Sequence, residues 1–393
     1  RVVMQRLSAF LALAALTPCA TWKHGLRGAP HRVASSSVSM QATFVPGETC
    51  TGEKVVVVGA TGYIGKAVVQ ECVRRGYPTT AVVRDAAKCA KEPKFEGATL
   101  TVADVCDPAS LVAKGGPLAP GAADVVISCL ASRTGTKKDS YAIDYQATLN
   151  CLEAAQEGGA RHFVLLSAFC VRSAELGHDY ALQFQYAKKD LEEKLTAQSD
   201  VTYSVVRPTA FFKSVSGQLE VVGSGAPFVY FDLGGGRSAT CNPISEPDLA
   251  AAIVDTVADP AKRNKVWNLG GPDDGLSMVQ QGELLAEVLG KEPKLLGVPI
   301  KLFDVIINGL QGLADFFKSE AIADAAELGR IGRYYAIEDM LTSDPAEKYG
   351  NTTLRDHYER IAKEGQEYDP YTTILGSGKK PEPGAAEKEE IAA

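Results

Sequence analysis

The sequence predicts an α/β fold in which a doubly wound parallel sheet is followed by a smaller C-terminal region. The first indication is a run of four valines at 55–58, which is typical of a buried central strand. A glycine-rich turn follows it, and a helical pattern with an apolar face then runs to Gly76. Strand and helix patterns alternate from there to about residue 270. Strands separated by helices favour parallel pairing with right-handed crossovers.

The later strands and helices are predicted from apolar periodicity. The predicted strands cover 79–84, 98–105, 124–131, 162–170, 201–207 and 266–269. The predicted helices cover 139–157, 180–198, 246–258 and 277–289, and the glycines at 234–236 indicate a turn between short strands. Since ligands of such sheets lie outside the carboxyl ends of the strands, residues at those ends are the first candidates for function.

The segment from Gly59 to Gly65 has the spacing of a dinucleotide-binding turn. One glycine permits the tight turn, one lets the backbone approach a pyrophosphate, and one lets the helix pack closely on the strand. The N–H groups at the start of the helix then hold the phosphates. The motif predicts a Rossmann-like nucleotide-binding fold, with a purely structural turn as the alternative. Its candidate cofactor contacts are Gly59, Thr61, Gly62, Tyr63, Ile64 and Gly65.

Further cofactor contacts are expected at the ends of the next strands. Arg84 ends the second strand, where an arginine accommodates the 2′-phosphate of NADPH, although the adjacent Asp85 would suit a free ribose. NADPH is the expected cofactor. Asp104 and Val105 end the third strand near the adenine position, and an ordinary turn aspartate is an equal alternative for Asp104. The fourth strand ends beside the expected ribose path with Ser128, Leu130 and Ala131.

Charge and cysteine content argue against two other classes of function. The net charge of −7 disfavours nucleic-acid binding, because that binding depends on neutralising phosphates. The nine cysteines form no C-x-x-C pair and no Cys/His cluster, so no metal site is expected. Scattered cysteines within apolar runs suit buried thiols in a reducing compartment.

The first 40 residues carry five Lys/Arg and no acidic residue, as a targeting segment does. An apolar run at 7–20 is too short to span a bilayer and resembles a signal-peptide core, and the basic, serine-containing stretch after it resembles a transit peptide. We therefore expect residues 1–50 to direct the chain to a plastid of secondary endosymbiotic type. A single mitochondrial or plastid presequence is the alternative. The rest divides into a cofactor domain at 53–270, a substrate-binding region at 271–376 and a solvated tail at 377–393.

Several blocks of sequence together resemble a known family. The glycine motif resembles extended and atypical short-chain dehydrogenases/reductases. The blocks at 128–135, 144–150, 207–213, 243–246, 270–272 and 329–336 narrow the resemblance to the vinyl reductases that act on chlorophyll precursors. It covers about residues 54–365. It implies NADPH as the cofactor, a tetrapyrrole, divinyl chlorophyllide a, as the substrate, and reduction of its 8-vinyl group to ethyl.

The resemblance also implies catalytic positions, with one departure from the wider superfamily. Ordinary members use Ser, Tyr and Lys, with Tyr four residues before Lys, but here Phe184 stands four residues before Lys188. Lys188 is implied to bind the cofactor ribose and to deliver a proton, with a solvated helix lysine as the alternative. Ser167 matches the superfamily serine or is a buried hydroxyl, and Tyr186 is a second candidate donor. Pro208 and Thr209 resemble the segment behind the nicotinamide ring.

On the substrate side, Phe211 and Phe212 are expected to stack on the macrocycle or to be core residues. Four residues, Arg330, Arg333, Tyr334 and Tyr335, are expected to meet a propionate or a ring edge, with an interdomain salt-bridge cluster as the alternative. The apolar stretch 295–317 is interpreted as one amphipathic helix that lines a pocket and touches thylakoid or envelope lipid, and plain core packing is equally compatible.

Two other functions compete with vinyl reduction. One is NADPH-dependent reduction of another hydrophobic substrate, as in the isoflavone-reductase-like group, which also keeps the lysine without the tyrosine. The other is a non-catalytic NADPH-binding protein that acts as a photosystem assembly factor or redox sensor. The glycine motif does not separate these, because binding proteins retain it too.

Overall fold

The computed structural model describes residues 44–366, so most of the expected leader and the whole tail lie outside the described residues. The strands are β1 (Val55–Val58), β2 (Thr79–Val83), β3 (Thr99–Val102), β4 (Val125–Ser128), β5 (His162–Leu166), β6 (Thr202–Pro208), β7 (Phe228–Asp232), β8 (Thr240–Cys241), β9 (Lys265–Leu269), β10 (Leu276–Ser277) and β11 (Leu295–Pro299).

The longer α-helices alternate with these strands, as the sequence predicts. In chain order, the α-helices are α1 (Tyr63–Arg75), α2 (Ala86–Cys89), α3 (Pro108–Val112), α4 (Lys137–Ser140), α5 (Thr148–Glu157), α6 (Arg172–Glu175), α7 (Gln183–Ala197), α8 (Phe212–Val215), α9 (Leu219–Gly223), α10 (Glu246–Ala258), α11 (Met278–Val288), α12 (Lys301–Phe317), α13 (Glu320–Ile337) and α14 (Leu354–Glu364). A π-helical segment, Tyr141–Ala147, joins α4 to α5.

Seven strands form one parallel sheet in the order β3-β2-β1-β4-β5-β6-β9, which confirms the predicted doubly wound fold. All four valines of β1 are buried, because helices cover both faces of the sheet. The strand order reverses between β1 and β4, which pair in parallel from Val55 to Val58. This switch point is where an open α/β sheet leaves a crevice for a ligand.

Outside the main sheet, the chain forms two small sheets, and four helices, α11 to α14, lie in the C-terminal region. Strand β7 pairs in parallel with β11, and β8 pairs with β10. The prediction of one helix over 295–317 is therefore wrong at its start, because Leu295–Pro299 forms the strand beside β7. The helix begins at Lys301, after Pro299. An apolar run of five residues suits a strand as well as a helix, so periodicity did not separate them.

Helix α12 leaves an apolar stripe on the surface. Val305 and Phe316 are 70% and 80% exposed, and Leu302, Leu313 and Phe317 lie on the same exposed side. Over the described range 44–366, none of the helices combines the length and the apolarity that a membrane crossing requires.

Residues from distant parts of the chain meet at Asp255 in α10. Its carboxylate accepts hydrogen bonds from Gly47 N at 2.8 Å, from the Arg75 guanidinium at 2.6 Å and from the Tyr349 hydroxyl at 2.5 Å. Strand β9 is the edge of the main sheet. The segment 345–349 covers the end of this strand, where Gly270 N donates to the Glu347 carbonyl at 2.7 Å. The C-terminal segment thus completes the edge of the cofactor domain.

Candidate active site

The glycine turn leaves no space for side chains at its two most crowded positions. Gly59 has φ +72°, and a Cβ there would lie 2.6 Å from the Cys129 backbone. A Cβ on Gly65 would lie 2.1 Å from the Gly59 carbonyl oxygen. Helix α1 then starts after Gly62, which has no side chain to cap the first-turn N–H groups. These groups are consequently available to an anion, and the turn fits a cofactor pyrophosphate.

Tyr63 and Ile64 anchor the turn. The Tyr63 hydroxyl donates to Glu246 at 2.7 Å, and the Lys213 ammonium lies 4.9 Å from the Tyr63 ring centroid. Ile64 is buried in the core between sheet and helices, whereas Thr61 is exposed at the tip. In this structure the Tyr63 side chain therefore ties α1 to α10.

At the end of β2 the structure separates the two candidates for the adenosine ribose. Asp85 caps α2 by accepting from Lys88 N, and its carboxylate also pairs with the Lys88 ammonium at 2.9 Å. Arg84 is exposed beside it. Because the aspartate is already engaged, the arginine is the group that remains for a phosphate.

At the end of β3, Asp104 takes part in a local turn. Its carboxylate accepts from Cys106 N at 3.0 Å, as the turn alternative describes, although the side chain stays exposed. Val105 is half-buried, and its carbonyl accepts from the Asn150 amide at 3.0 Å.

At the end of β4, Ser128 is fully buried, and within the described range its hydroxyl has no hydrogen-bond partner. Unsatisfied buried hydroxyls are rare, and this one lies at the switch point of the sheet. Leu130 is half-buried and Ala131 is exposed in the loop that follows. The sheet edge beside the glycine turn thus carries a hydroxyl that has no hydrogen-bond partner among the described residues. This is compatible with a cofactor ribose passing here, as the sequence predicts.

Lys188 on α7 pairs with Asp144 of the π-helical segment. Lys188 Nζ lies 2.9 Å from Asp144 Oδ1, and the lysine side chain is 11% exposed whereas that of the aspartate is 1% exposed. Asp144 Oδ2 also accepts from Ser132 N at 3.3 Å. The pair therefore joins α7, the π-helical segment and the loop after β4.

Two buried thiols, those of Cys129 and Cys170, interact electrostatically with the Lys188 ammonium. Burial raises the pKa of Cys129 to about 12, and the Lys188 charge acts in the opposite direction. Burial likewise raises the pKa of Cys170 to about 11, and Lys188 is among the groups that lower it. Cys129 follows β4 and Cys170 follows β5. The lysine ammonium therefore acts on thiols that follow both strands, and its partner Asp144 is bonded to the loop after β4.

Ser167, which matches the superfamily serine position or is a buried hydroxyl, makes its hydrogen bond away from the cofactor edge. Its buried hydroxyl donates to Glu192, which in turn pairs with Arg207. Arg207 Nη1 donates to Glu175 at 3.1 Å, and hydrogen bonds to the two carboxylates outweigh burial and raise the arginine pKa. Ser167 thus belongs to a buried charge network behind the site, which is the buried-hydroxyl alternative.

The remaining predicted positions lie on α7 and at the end of β6. Tyr186 is half-buried on α7, and Phe184 packs towards Gly135 and Ile331 of α13. Pro208 and Thr209 are buried at the end of β6, where Thr209 donates to the Asn242 carbonyl at 2.7 Å. Since a phenylalanine occupies the usual tyrosine position, the superfamily acid/base is absent from this site, as the sequence indicates.

Two predicted substrate contacts are core residues. Phe212 is fully buried against His357, with ring centroids 4.8 Å apart, and the buried Tyr334 hydroxyl lies 2.8 Å from the Ser173 hydroxyl. Phe212 thus follows the core-packing alternative, and Tyr334 is a core residue as well, which neither of its two expectations describes. Arg333 pairs with Asp304 at 2.6 Å and joins α13 to α12, so its salt bridge lies within the C-terminal region and not between the domains. Phe211 stays half-buried, with its ring 6.2 Å from that of Tyr63.

Sequence reasoning assigned no site role to Asp144, whereas Tyr335 is among the residues expected to meet a propionate or a ring edge. Asp144 lies 44 residues before its lysine, and a single carboxylate in a helical pattern gives no signal of that partner. Tyr335 has a partly exposed ring, and its hydroxyl lies 3.8 Å from Cys170 Sγ, beside the Lys188 region. Across the described residues, no cluster of three or more His, Cys, Asp or Glu could hold a metal ion.

Comparisons with known proteins agree with this geometry. A family model described as NAD(P)H-binding matches residues 59–260. The divinyl chlorophyllide a 8-vinyl-reductase of Zea mays is 44% identical over 86% of this chain and 88% of its own length. The enzyme of the same name from Arabidopsis thaliana is 45% identical over 79% and 77%. Both relatives carry the description chloroplastic.

Among solved structures, an NADPH-dependent quinone oxidoreductase of Escherichia coli, complexed with NADPH, superposes with a TM-score of 0.55. It is 19% identical, and the match covers 78% of this chain and 99% of that one. At this identity the likeness shows the fold alone.

Proposed function

This chain belongs to the divinyl chlorophyllide a 8-vinyl-reductase family, and from that premise we propose that it reduces the 8-vinyl group of divinyl chlorophyllide a to ethyl. The observation that carries the proposal is Lys188, which pairs with Asp144 beside the loop after β4, without the tyrosine that carbonyl reduction needs. Reduction of a C=C bond forms no alkoxide, so it does not require that tyrosine.

We propose NADPH as the cofactor. A nicotinamide cofactor is supported by the family model, and the phosphorylated form is supported by Arg84, whose neighbour Asp85 is engaged as a helix cap. The turn at Gly59 and the first N–H groups of α1 would hold the pyrophosphate. Lys188 would hold the ribose hydroxyls, and Pro208 and Thr209 would back the nicotinamide.

Bound NADPH supplies a hydride, and the protein must align the vinyl group and provide a proton. Hydride addition to one vinyl carbon leaves the second carbon to be protonated, so that two hydrogens are gained. The Lys188 ammonium at Nζ is the proposed donor, and Tyr186 is the second candidate. Phe211 and the partly exposed ring of Tyr335 offer flat apolar surface to a macrocycle.

We also propose that two regions of the chain have different roles. Residues 53–270 bind the cofactor, and residues 271–376 complete the substrate side. The chloroplastic relatives and the basic leader support a plastid location, and the two-part leader supports a plastid of secondary endosymbiotic type.

Peripheral contact with a thylakoid or envelope membrane is a further part of the proposal. The exposed apolar stripe of α12 supports it, since Phe316 and Val305 would otherwise face water. Lys301 and Lys318 lie at the two ends of this helix and are exposed, so their ammonium groups can stay among lipid headgroups while the stripe inserts.

The test incubates the recombinant protein with NADPH and divinyl chlorophyllide a and resolves the pigments by chromatography and mass. We expect a mass gain of two hydrogens and a shift of the Soret band to the blue. Absence of conversion, with binding of both NADPH and pigment demonstrated, would contradict the reductase function and favour an assembly or sensor role. A Lys188→Ala variant in the same assay tests the catalytic assignment.

A further inference from the structure

We propose that Asp144 is a positioning residue, which fixes the Lys188 ammonium so that its N–H donors face the bound cofactor and substrate. This inference rests on the proposed role of Lys188. It adds a residue that does not itself touch the reacting atoms and acts through the lysine.

The arrangement around the pair makes the carboxylate the fixed partner. Asp144 is almost fully buried, and its second oxygen accepts from Ser132 N at 3.3 Å. The lysine, by contrast, reaches the pair on a flexible four-carbon chain and keeps some exposure to the cleft. An unpaired carboxylate at this depth would be costly, so the ammonium is drawn to it and its range of positions is narrowed.

The contact still leaves the lysine free to donate elsewhere. Asp144 Oδ1 lies 2.9 Å from Lys188 Nζ, so this contact engages one N–H group of the ammonium. The other two N–H groups are not committed to this oxygen. They can turn to ligand hydroxyls at the edge formed by Ser128 and Cys129.

The backbone around Asp144 has the form that such a role needs. Asp144 lies in the π-helical segment Tyr141–Ala147, and the Thr148 hydroxyl donates to the Ile143 carbonyl at 3.0 Å. π-Helical turns are rare and occur mostly at functional sites, because they change the direction of side chains relative to a regular α-helix. Here the segment packs against α7, and Asp144 is its buried charged residue.

A second aspartate on the same stretch provides a matched control. Asp139 in α4 accepts from Arg133 N and Thr134 N, at 2.8 Å each, so it anchors the same loop after β4. Its described partners do not include Lys188. Asp139→Asn and Asp144→Asn therefore remove the same charge from two loop anchors, only one of which pairs with the lysine.

The experiment is a double-mutant cycle on the full protein. The dissociation constant of NADPH is measured by fluorescence for the wild type, Asp144→Asn, Lys188→Met and the double variant, together with kcat for the pigment. In the wild-type background we expect Asp144→Asn to weaken NADPH binding and to lower kcat, each about tenfold. In the Lys188→Met background the same change should leave NADPH binding within about twofold, and Asp139→Asn should do so in both backgrounds.

Equal weakening of NADPH binding by Asp144→Asn in both backgrounds would overturn the proposal, and so would no weakening in either. If Asp144→Asn does not fold, Asp144→Glu replaces it in the same cycle, because it keeps the charge and displaces the carboxylate by one methylene. A wild type that binds NADPH but converts no pigment would contradict the proposed function only. The binding cycle would still decide whether Asp144 acts through Lys188.

Discussion

The proposed preference for NADPH rests on the different contacts of Arg84 and Asp85. The aspartate caps α2 and pairs with Lys88, which leaves the arginine fork for a 2′-phosphate. Arg84→Ala should therefore raise the dissociation constant of NADPH about 10- to 100-fold and leave that of NADH nearly unchanged. Fluorescence titration with both cofactors measures this.

Arg74→Ala is the control, because it removes an exposed arginine from the opposite end of α1. An equal loss of NADH and NADPH affinity in Arg84→Ala would contradict the phosphate assignment.

A substitution at Ser167 can distinguish a structural hydroxyl from a catalytic one. Its hydroxyl donates to Glu192, whose charge is also balanced by Arg207. Ser167→Ala should thus lower the free energy of unfolding by about 1 kcal/mol and leave kcat within about twofold. Urea denaturation and the pigment assay measure the two quantities. A kcat loss of tenfold or more at unchanged stability would show that the Ser167 hydroxyl takes part in catalysis.

At the scale of the element, the glycine turn combines two separate constraints. Gly59 has a positive φ and also meets the Cys129 backbone, whereas Gly76, the C-cap of α1, has a positive φ but open space around it. Gly76→Ala should cost about 1 kcal/mol of stability and keep NADPH binding. Gly59→Ala should cost about 2 kcal/mol or more and abolish binding, because the backbone must move.

Both glycine variants are compared by urea denaturation and by NADPH fluorescence. Retained NADPH binding in Gly59→Ala would show that the turn does not hold the cofactor.

The stripe on α12 gives a prediction about association with lipid. Phe316→Ser combined with Phe317→Ser should reduce co-sedimentation with galactolipid vesicles that contain anionic lipid, since most of the exposed aromatic surface is lost. Leu176→Ser is the matched control, because Leu176 is 69% exposed and lies outside α12. A wild type that stays in the supernatant, or an equal loss in the control, would contradict membrane contact.

Most of the main sheet was predictable from sequence, because each parallel strand has a continuous apolar run and each helix has a defined face. The features that the sequence did not predict depend on contacts between residues that are far apart in the chain. The strand at Leu295–Pro299 depends on a partner, β7, more than 60 residues earlier. The burial of Phe212 and Tyr334 and the pairing of Asp144 with Lys188 depend equally on tertiary neighbours that no local pattern encodes.

For the whole molecule, two buried histidines set a limit on stability at acidic pH. Burial lowers the pKa of His162 and of His357 to about 4, from 6.5. The unfolded chain takes up a proton on each as pH falls below 6.5, and the folded protein does not, so stability is lost between pH 6.5 and about 4. Each histidine contributes up to about 3 kcal/mol to this loss.

Urea denaturation at pH 7, 6 and 5 checks this dependence. His357→Gln should flatten the decline, because glutamine can still meet the Ser216 hydroxyl, which lies 2.8 Å from His357 Nε2, and does not titrate. An unchanged slope in that variant would show that other groups govern the acid limb.

Asp255 forms hydrogen bonds with residues that are synthesised at very different times. Gly47 and Arg75 are synthesised first, the carboxylate follows, and Tyr349 comes last, with the segment that covers the end of β9. Until that segment arrives, the end of β9 is uncovered and the aspartate lacks its hydrogen bond from Tyr349. We therefore expect the cofactor domain to reach its final stability only when nearly the whole chain has been made.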